Sequence, residues 1–588
     1  MKSNITKLSI ITIISLFTLA VIGLSYAYFS TEITGEGKYV TLDTATLKLK
    51  YTDNTVLSLD NAIPGDFVTK TFTVENIGTK KVSYNIVWNN LINTINNYDL
   101  QLDMKCKSYK DYNTSSKVES GECSSFYKAV PYTETSISKD IKRNNGIDIG
   151  ITHEYTVTIT FKNRSYNQND NLNKKFTGKI DLEEYIDPSP DPIYCTFDGE
   201  LTQGAEYVNG QYTYRYKQEG SYNYSGNDLV WSSISIDGWG VQLTNKTSTD
   251  PVTSKSCTYI NNRPVVSMTM MFNGSQATSI DLSSFDTSNV TNMSTMFVDS
   301  KAIMLDVSNF NTGKVTDMSA MFDGSQATTL DVSNFDTSNV TNMGAMFEYS
   351  QVTSLDVSNF DTSKVTNMNS MFYGSKATTL DLSNFNTSKV TSMNSMFNNS
   401  EATILDVSNF DTSKVTDMSY MFSSSKVTIL DVSNFNTSNV TNMSGMFNGS
   451  KATKLDVSDF DTSSVTDMEG MFAVSKATTL DLNNFDTSNV TNMSSMFSFC
   501  QATSIDLSSF DTSKVTDMHY MFSNSTNLKA IYASNKFNTD AVTSSTEMFY
   551  DCTSLVGGSG TKYNLRYIDK TYARIDGGTS NPGYFTAK

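Results

Sequence analysis

The stretch Leu355-Asp356-Val357-Ser358-Asn359-Phe360-Asp361-Thr362-Ser363-Lys364-Val365-Thr366-Asn367-Met368 decides the fold, because close copies of it recur every 25 residues. The register holds without insertion across ten repeats. Phe285 opens a column that is Phe through Phe510, and Val290 opens one that is Val through Val515. A period in this range indicates a solenoid, in which each repeat buries its apolar residues only against its neighbours. We therefore expect nearly half of the chain to form one elongated surface.

Each repeat predicts a short strand followed by a short helix. Apolar and polar side chains alternate around Ile280, so that Ile280 and Leu282 point inward and Asp281 points outward. Four apolar residues of the second half fall on one helical stripe about 120° wide, counted at about 100° per residue. They are Val290, Met293, Met296 and Phe297. We expect an α/β solenoid with a parallel sheet.

The string at 355–368 resembles the repeats of the BspA-like leucine-rich-repeat families of bacterial surface proteins. The resemblance covers about residues 265 to 555. One departure is that family repeats often carry Cys with Leu three residues on, where this chain has Ser375-Lys376-Ala377-Thr378. The resemblance implies a cell-surface or secreted protein that mediates adhesion to a host or to other bacteria.

The first 186 residues predict an exported all-β domain. Lys2 and Lys7 precede an apolar run, and Ser25-Tyr26-Ala27 suits signal peptidase cleavage after Ala27, although the run could also span a bilayer if it is retained. Alternating strands such as 153–161 and turns such as Pro64-Gly65-Asp66 indicate an antiparallel sandwich.

Several motifs of this region resemble the TasA/camelysin group of Gram-positive bacteria. They are Ala27-Tyr28-Phe29-Ser30, Ile63-Pro64-Gly65-Asp66 and the segment Phe72 to Thr79. The resemblance implies a jelly-roll fold, export and, in some members, assembly into biofilm-matrix fibres. Some relatives have been described as proteases, but we see no metal-binding His-Glu arrangement here and expect no such activity.

The sequence divides into six segments. They are a signal peptide (1–27), a β-sandwich (28–186), a Pro-rich linker (187–192), a small Tyr/Trp-rich β unit (193–262), the 25-residue repeats (263–525) and an irregular last repeat with a C-terminal cap (526–588). The aromatic residues of the small unit favour a core that caps the solenoid, since solenoids need capped ends, over a surface that stacks on sugars.

The net charge of −17 argues against nucleic-acid binding, because an acidic chain repels phosphate backbones. Six cysteines in an exported chain permit disulfides, and we expect Cys106 with Cys123 and Cys195 with Cys257. Cys500 and Cys552 lie two repeats apart, roughly 10 Å at the strand spacing, which is too far for a disulfide.

One column is Asp in all ten repeats. Its carboxylates would repel one another if consecutive repeats lie as close as neighbouring strands. Its members are Asp281, Asp306, Asp331, Asp356, Asp381, Asp406, Asp431, Asp456, Asp481 and Asp506. Either Ca²⁺, which prefers oxygen ligands, or hydrogen bonds from neighbouring hydroxyl and N–H groups would compensate. We favour the hydrogen bonds, because no calcium-repeat pattern is present.

Binding specificity is expected where the repeat varies, although variation could equally be drift. One variable position lies beside each strand and holds Met304, Ile404 and Ile429 in three of the repeats. Further variable positions follow each Met-Phe pair. The candidate contact residues are Tyr349, Tyr373, Tyr420, Phe499 and Tyr520.

No catalytic set can be nominated. His153 is expected at a strand edge and His519 on the surface, and the chain has no phosphate loop and no CxxC motif. We therefore expect no cofactor and no enzymatic activity.

Three functions remain, of which we favour the first: a non-enzymatic exported or cell-surface protein whose solenoid binds host or bacterial surface proteins or matrix components. The second is a self-assembling matrix-fibre subunit, and the third a cell-wall glycan hydrolase, which lacks a credible carboxylate pair. We expect membrane contact only through the N-terminal segment, if that segment is uncleaved.

Overall fold

The computed structural model describes residues 40–588 except 44–47, 53–55, 96–98, 121–122, 124, 132, 164–167, 169–170, 172, 186–188 and 219–236. The proposed signal segment, part of the Pro-rich linker and Trp231 lie outside the described residues. Among the described residues, no helix is both long and apolar enough to cross a bilayer.

The described residues of the N-terminal domain form eleven strands in two sheets. The strands are β1 (Val40–Asp43), β2 (Lys48–Thr52), β3 (Leu57–Ala62), β4 (Phe67–Asn76), β5 (Val82–Asn93), β6 (Leu100–Lys110), β7 (Val118–Glu119), β8 (Phe126–Ala129), β9 (Thr133–Ile147), β10 (Ile151–Phe161) and β11 (Lys174–Glu184). One sheet has the order β1-β2-β4-β10-β6-β7 with β8 also paired to β6, and the other has the order β3-β11-β5-β9.

The two sheets share one core, as the alternation of β10 predicts. Tyr155, Val157, Ile159 and Phe161 are buried in β10, while the residues between them face outward. The hydroxyl of Tyr155 lies 2.8 Å from that of Tyr84 on the opposite sheet, which joins the two layers through a polar contact. An all-β N-terminal domain is therefore confirmed.

A six-stranded sheet follows and continues into the repeats. Its strands are β12 (Tyr194–Cys195), β13 (Glu206–Asn209), β14 (Tyr212–Lys217), β15 (Gly238–Leu243), β16 (Tyr259–Ile260) and β17 (Arg263–Ser267), in the order β12-β16-β17-β15-β14-β13. Tyr212, Tyr214 and Trp239 are buried in the same core as the first repeats, and the ring of Tyr212 packs edge-on against Phe272 and Phe285. These aromatic side chains thus cover the end of the repeats.

Residues 265–555, which we call the repeat stack, place each repeat on the next in parallel. Single bridges join residues 25 apart along a column from Ser267 through Asn292 and Asp317 to Asp517, which bridges Ser544. Inside, the phenylalanine rings from Phe272 to Phe549 form an unbroken series with centroids 5.4–6.0 Å apart. The columns read from the sequence as core are buried, apart from Leu480, which is partly buried.

The helix expected in each repeat is wrong. Residues 293–296 and 297–300, and their equivalents, form two successive β-turns whose third residue is left-handed, with φ 55° at Thr295 and 52° at Asp299. Their N–H groups bond to the next repeat rather than back along a helix: Thr295 donates to Ser319 and Phe297 to Met321. The three-residue spacing of apolar side chains suits such turns as well as it suits a helix.

The expected strand of each repeat is regular only at the C-terminal end. There β18 (Ser504–Leu507), β19 (Ala530–Ala533) and β20 (Phe585–Ala587) form a parallel sheet, whereas earlier repeats show only isolated bridges such as Met304 with Thr329. Two 3₁₀ turns at Lys570–Tyr572 and Gly578–Ser580 precede β20. Phe585 is buried against Phe537 and Phe549, so this segment covers the last repeat.

Candidate interaction surfaces and a cysteine–histidine cluster

The aspartate column is held by hydrogen bonds within each repeat. In all ten repeats the carboxylate accepts the backbone N–H of the residue two positions on, at 2.9–3.2 Å. At Asp281, hydrogen bonds from the hydroxyl and then from the backbone N–H of Ser283 lower the pKa of the carboxyl. Hydrogen bonds therefore offset the repulsion along the column, as we favoured from the sequence, and calcium stays the untested alternative.

An asparagine column, which the sequence analysis missed, joins consecutive repeats. The Nδ2 of Asn359 donates to the carbonyls of Val332, Ser333 and Phe335 in the preceding repeat, at 3.0–3.3 Å. The same contact recurs at Asn309, Asn334, Asn384, Asn409 and Asn434. The recurrence of Asn at this position was the available signal.

The five candidate contact residues, which we call the aromatic ridge, lie on the two turns of their repeats. The ridge consists of Tyr349, Tyr373, Tyr420, Phe499 and Tyr520. Tyr373 is half-buried and the other four are exposed, with Phe499 50% exposed. The described contacts bring together only Tyr349 and Tyr373, whose rings meet edge-on at 4.8 Å.

Four ridge residues occupy left-handed backbone, which bulky side chains rarely adopt. Their φ angles are 50° at Tyr349, 56° at Tyr420, 54° at Phe499 and 57° at Tyr520. The same left-handed backbone recurs in the other repeats, where glycine, as at Gly324, or a smaller side chain, as at Ala320 and Val474, fills the equivalent position. A strained backbone carrying exposed aromatic side chains is the kind of feature that clusters at binding sites.

Acidic residues lie beside the ridge. Burial, with the charge of Asp299, raises the pKa of Asp323 to about 6, and burial, with the charge of Asp323, raises that of Glu348 to about 7. Both carboxyls therefore destabilise the folded chain when they ionise.

The sandwich contacts the repeat stack through lysines. The Nζ of Lys139 lies 2.8 Å from a carboxylate oxygen of Asp356. Although burial acts in the opposite direction, this lysine lowers the pKa of Asp356 to about 2. A cleft of about 800 Å³ lies between the domains, and Lys142, His153, Asn359 and Asp361 are among its lining residues.

A cysteine–histidine cluster borders this cleft. The structure pairs Cys106 with Cys123, and the ligand atoms of both cysteines and of His153 lie within 4.8 Å of one another. Within the described part of the chain, no other three His, Cys, Asp or Glu residues group in this way.

The expected edge position of His153 is wrong. This residue lies on β10, which pairs with a strand on each side. It is buried, and its Nδ1 lies 2.9 Å from the hydroxyl of Tyr84. Burial, together with the charge of Lys142, lowers the pKa of His153 to about 4, so the imidazole is neutral near pH 7. The partly exposed His519 instead contacts Asp517 at 2.6 Å.

The other cysteines follow the expected pattern. Cys195 is bonded to Cys257, with Cα atoms 5.9 Å apart, within the small aromatic sheet. Cys500 and Cys552 are free thiols buried in the repeat core. Burial raises the pKa of Cys552 to about 12, which keeps this thiol protonated.

The fold defines a two-part class of protein, a β-sandwich followed by a long array of repeats. A family model described as "Mycoplasma protein of unknown function, DUF285" matches residues 246–360, 322–428, 349–455, 398–507, 423–534 and 473–580. These matches together cover more than half of the chain. The chain therefore belongs to this family.

The N-terminal domain matches a second family model, described as "Camelysin metallo-endopeptidase", over residues 4–180. Neither match is to a leucine-rich-repeat family, so the resemblance to BspA-like proteins stays a prediction. The comparison with curated proteins found no match, and neither did the comparison with solved structures.

Proposed function

We propose that this chain is a non-enzymatic, exported bacterial surface protein whose repeat stack is a solenoid that binds a protein partner through the aromatic ridge. The observation that carries the proposal is the placement of exposed Tyr and Phe side chains on left-handed backbone, where other repeats use glycine or a smaller side chain. Aromatic side chains are the strongest contributors to protein interfaces, and strain of this kind is kept where function needs it.

The shape of the repeat stack supports binding rather than catalysis. Its interior is filled by phenylalanine, methionine and valine columns, so the contact surface lies on the outside of the repeats. The ridge residues that vary from repeat to repeat stand on a backbone whose hydrogen bonds recur at nearly the same lengths. Such a surface can change specificity without disturbing the core.

The family match to a metallo-endopeptidase raises the alternative of a catalytic metal centre. In the sandwich, the described group that could hold a metal is Cys106, Cys123 and His153, and both cysteines are tied in a disulfide. This leaves one ligand, whereas a catalytic zinc takes three from the protein. The disulfide form does not fit a metal centre, and we propose no peptidase activity for it.

A matrix-fibre subunit is the second candidate. It is supported by the camelysin-like match over residues 4–180 and by β3, which ends the second sheet among the described residues, since an unpaired edge can accept a strand from another chain. Electron microscopy of the purified chain over a range of concentrations tests it, and monomers at every concentration would reject it. The glycan-hydrolase alternative loses its motivation, because Tyr212, Tyr214 and Trp239 are buried.

The experiment that tests the first proposal is a binding screen with the purified full chain. Immobilised host matrix proteins and intact bacterial cells are probed, with an unrelated protein of similar acidity as the control. We expect saturable binding to at least one protein target that survives moderate salt, since the ridge is aromatic rather than charged. Binding no stronger than that of the acidic control would reject the proposal.

A further inference from the structure

The cluster of Cys106, Cys123 and His153 has the ligand set of a zinc site, although the disulfide closes it. Thiolate sulfur and imidazole nitrogen are the ligands that zinc prefers, and a tetrahedral ion places them roughly 3.5–3.8 Å apart. All three ligand atoms already lie within 4.8 Å of one another. Small side-chain movements would bring them to the zinc distance once the sulfurs are released.

We propose that the Cys106–Cys123 disulfide is a redox gate over a zinc site that Cys106, Cys123 and His153 form when the disulfide is reduced. The reductant is a dithiol, which supplies two electrons and two protons and becomes a disulfide itself. The sulfur–sulfur bond breaks to give two thiols. Zinc then displaces the two thiol protons as it binds both sulfurs and the imidazole.

The surroundings of the cluster support a metal site and not only a structural disulfide. Cys106 and His153 lie on the neighbouring strands β6 and β10, which are rigid partners in one sheet. Cys123 lies outside the strands, between β7 and β8. The hydroxyl of Tyr84 at His153 Nδ1 orients the imidazole in the way that outer-shell partners orient metal ligands.

The site also has an open side. Cys123 and His153 both line the interdomain cleft, so a fourth ligand from solvent could reach a bound ion there. The described residues supply three protein ligands and a position open to the cleft. This arrangement is distinct from the closed four-ligand sites that serve structure alone.

The test uses the full chain, reduced and then freed of reductant without air. Zinc binding is measured by competition with a chromophoric chelator, and Co²⁺ in place of zinc reports thiolate ligation through its absorption. We expect one ion per reduced chain and none per oxidised chain. Equal binding by both forms, or none by the reduced form, would overturn the proposal.

Four variants test which side chains hold the ion. The double variant Cys106→Ser/Cys123→Ser should lose the ion, while Cys500→Ser/Cys552→Ser should keep it. His153→Gln should weaken binding by more than about tenfold, as loss of even an outer-shell partner does. His519→Gln is the matched control and should change nothing. An ion retained by the Cys106→Ser/Cys123→Ser chain would place the site elsewhere and reject the proposal.

Loss of the fold must not be mistaken for loss of the site. The near-ultraviolet circular dichroism of each reduced chain is therefore recorded before metal is added. In addition, zinc should raise the melting temperature of the reduced wild-type chain and leave that of His153→Gln unchanged. An equal rise in both chains would contradict ligation by His153.

Discussion

The ring of Tyr349 lies over Gly374 of the next repeat, so closely that a Cβ atom on Gly374 would stand 2.6 Å from Cδ1 of the tyrosine. The same relation joins Tyr420 to Gly445. A large side chain on one turn is thus accommodated by glycine on the turn above it. Tyr349 and Tyr420 therefore each constrain the sequence of the neighbouring repeat.

Gly374→Ala should destabilise the chain by about 2–3 kcal/mol, because left-handed strain and a clash with the Tyr349 ring add together. Gly274→Ala is the matched control: its φ is 68°, but no atom lies within 4 Å of the added Cβ, so only the strain of about 1 kcal/mol applies. Chemical denaturation of both variants measures the difference. Equal losses would show that the tyrosine does not occupy this space.

Val474→Asn should stabilise the chain by about 1 kcal/mol. Val474 is β-branched and 46% exposed at φ 57°, a conformation that asparagine tolerates better. Asn399 and Asn524 already occupy the equivalent position in other repeats. The exposed Val556, whose φ is not positive, provides the control variant Val556→Asn. A lower melting temperature of Val474→Asn than of the wild-type chain would contradict backbone strain at Val474.

The asparagine column should show opposite effects at two of its members. Asn434→Asp removes the donor to the carbonyls of Ser408 and Phe410 and should cost about 1–3 kcal/mol. The following repeat carries Asp459 in the same column, so Asp459→Asn should supply the missing donor and stabilise by about 1 kcal/mol. Equilibrium unfolding tests the pair, and effects of the same sign would contradict this role.

The contribution of Asp323 and Glu348 to stability should fall as the pH rises from about 5 to 8, whereas the lowered pKa of His153 acts in the opposite direction below about pH 6.5. The pKa values of Asp323 and Glu348 are raised in the folded chain to about 6 and about 7, so the folded state holds these protons more tightly than the unfolded state. Their stabilising contribution is complete below the unfolded pKa values and is lost as the pH passes through the folded ones. Solvent screening limits it to less than about 1 kcal/mol each.

Asp323→Asn/Glu348→Gln should therefore flatten this part of the pH profile and raise stability at pH 8. Thermal unfolding between pH 5 and pH 8 measures the slope, and Glu200→Gln, an exposed carboxyl outside the repeat stack, is the control. A double variant with the wild-type slope would show that these two groups do not titrate in this range.

The sequence predicted the core well, because burial follows from a strict 25-residue period. Phe285, Val290 and Met293 lie in the core as expected. The helix prediction failed because Met293 and Met296 are spaced alike in a helix and in two successive turns. The turns differ from a helix in the left-handed φ at Thr295 and in the hydrogen bonds to the next repeat. Neither feature is visible in the side-chain pattern.

The candidate sites were predicted unevenly for a similar reason. Variation between repeats led to the ridge, since exposed positions are free to vary. The asparagine column was missed because its role depends on carbonyl groups of the preceding repeat. The approach of His153 to Cys106 and Cys123 depends on the pairing of β6 with β10, which local sequence does not specify.

The most direct test of the proposed function is the affinity of a ridge variant for the target found in the binding screen. The variant carries substitutions drawn from equivalent positions of other repeats: Tyr349→Gly, Tyr420→Ser, Phe499→Asn and Tyr520→Ser. A control variant on the strand side carries Met304→Thr, Ile404→Thr and Ile429→Thr. We predict that the ridge variant binds more than about tenfold more weakly with an equal or higher melting temperature, while the control binds normally. Unchanged affinity of the ridge variant, or an equal loss in the control, would contradict binding through the ridge.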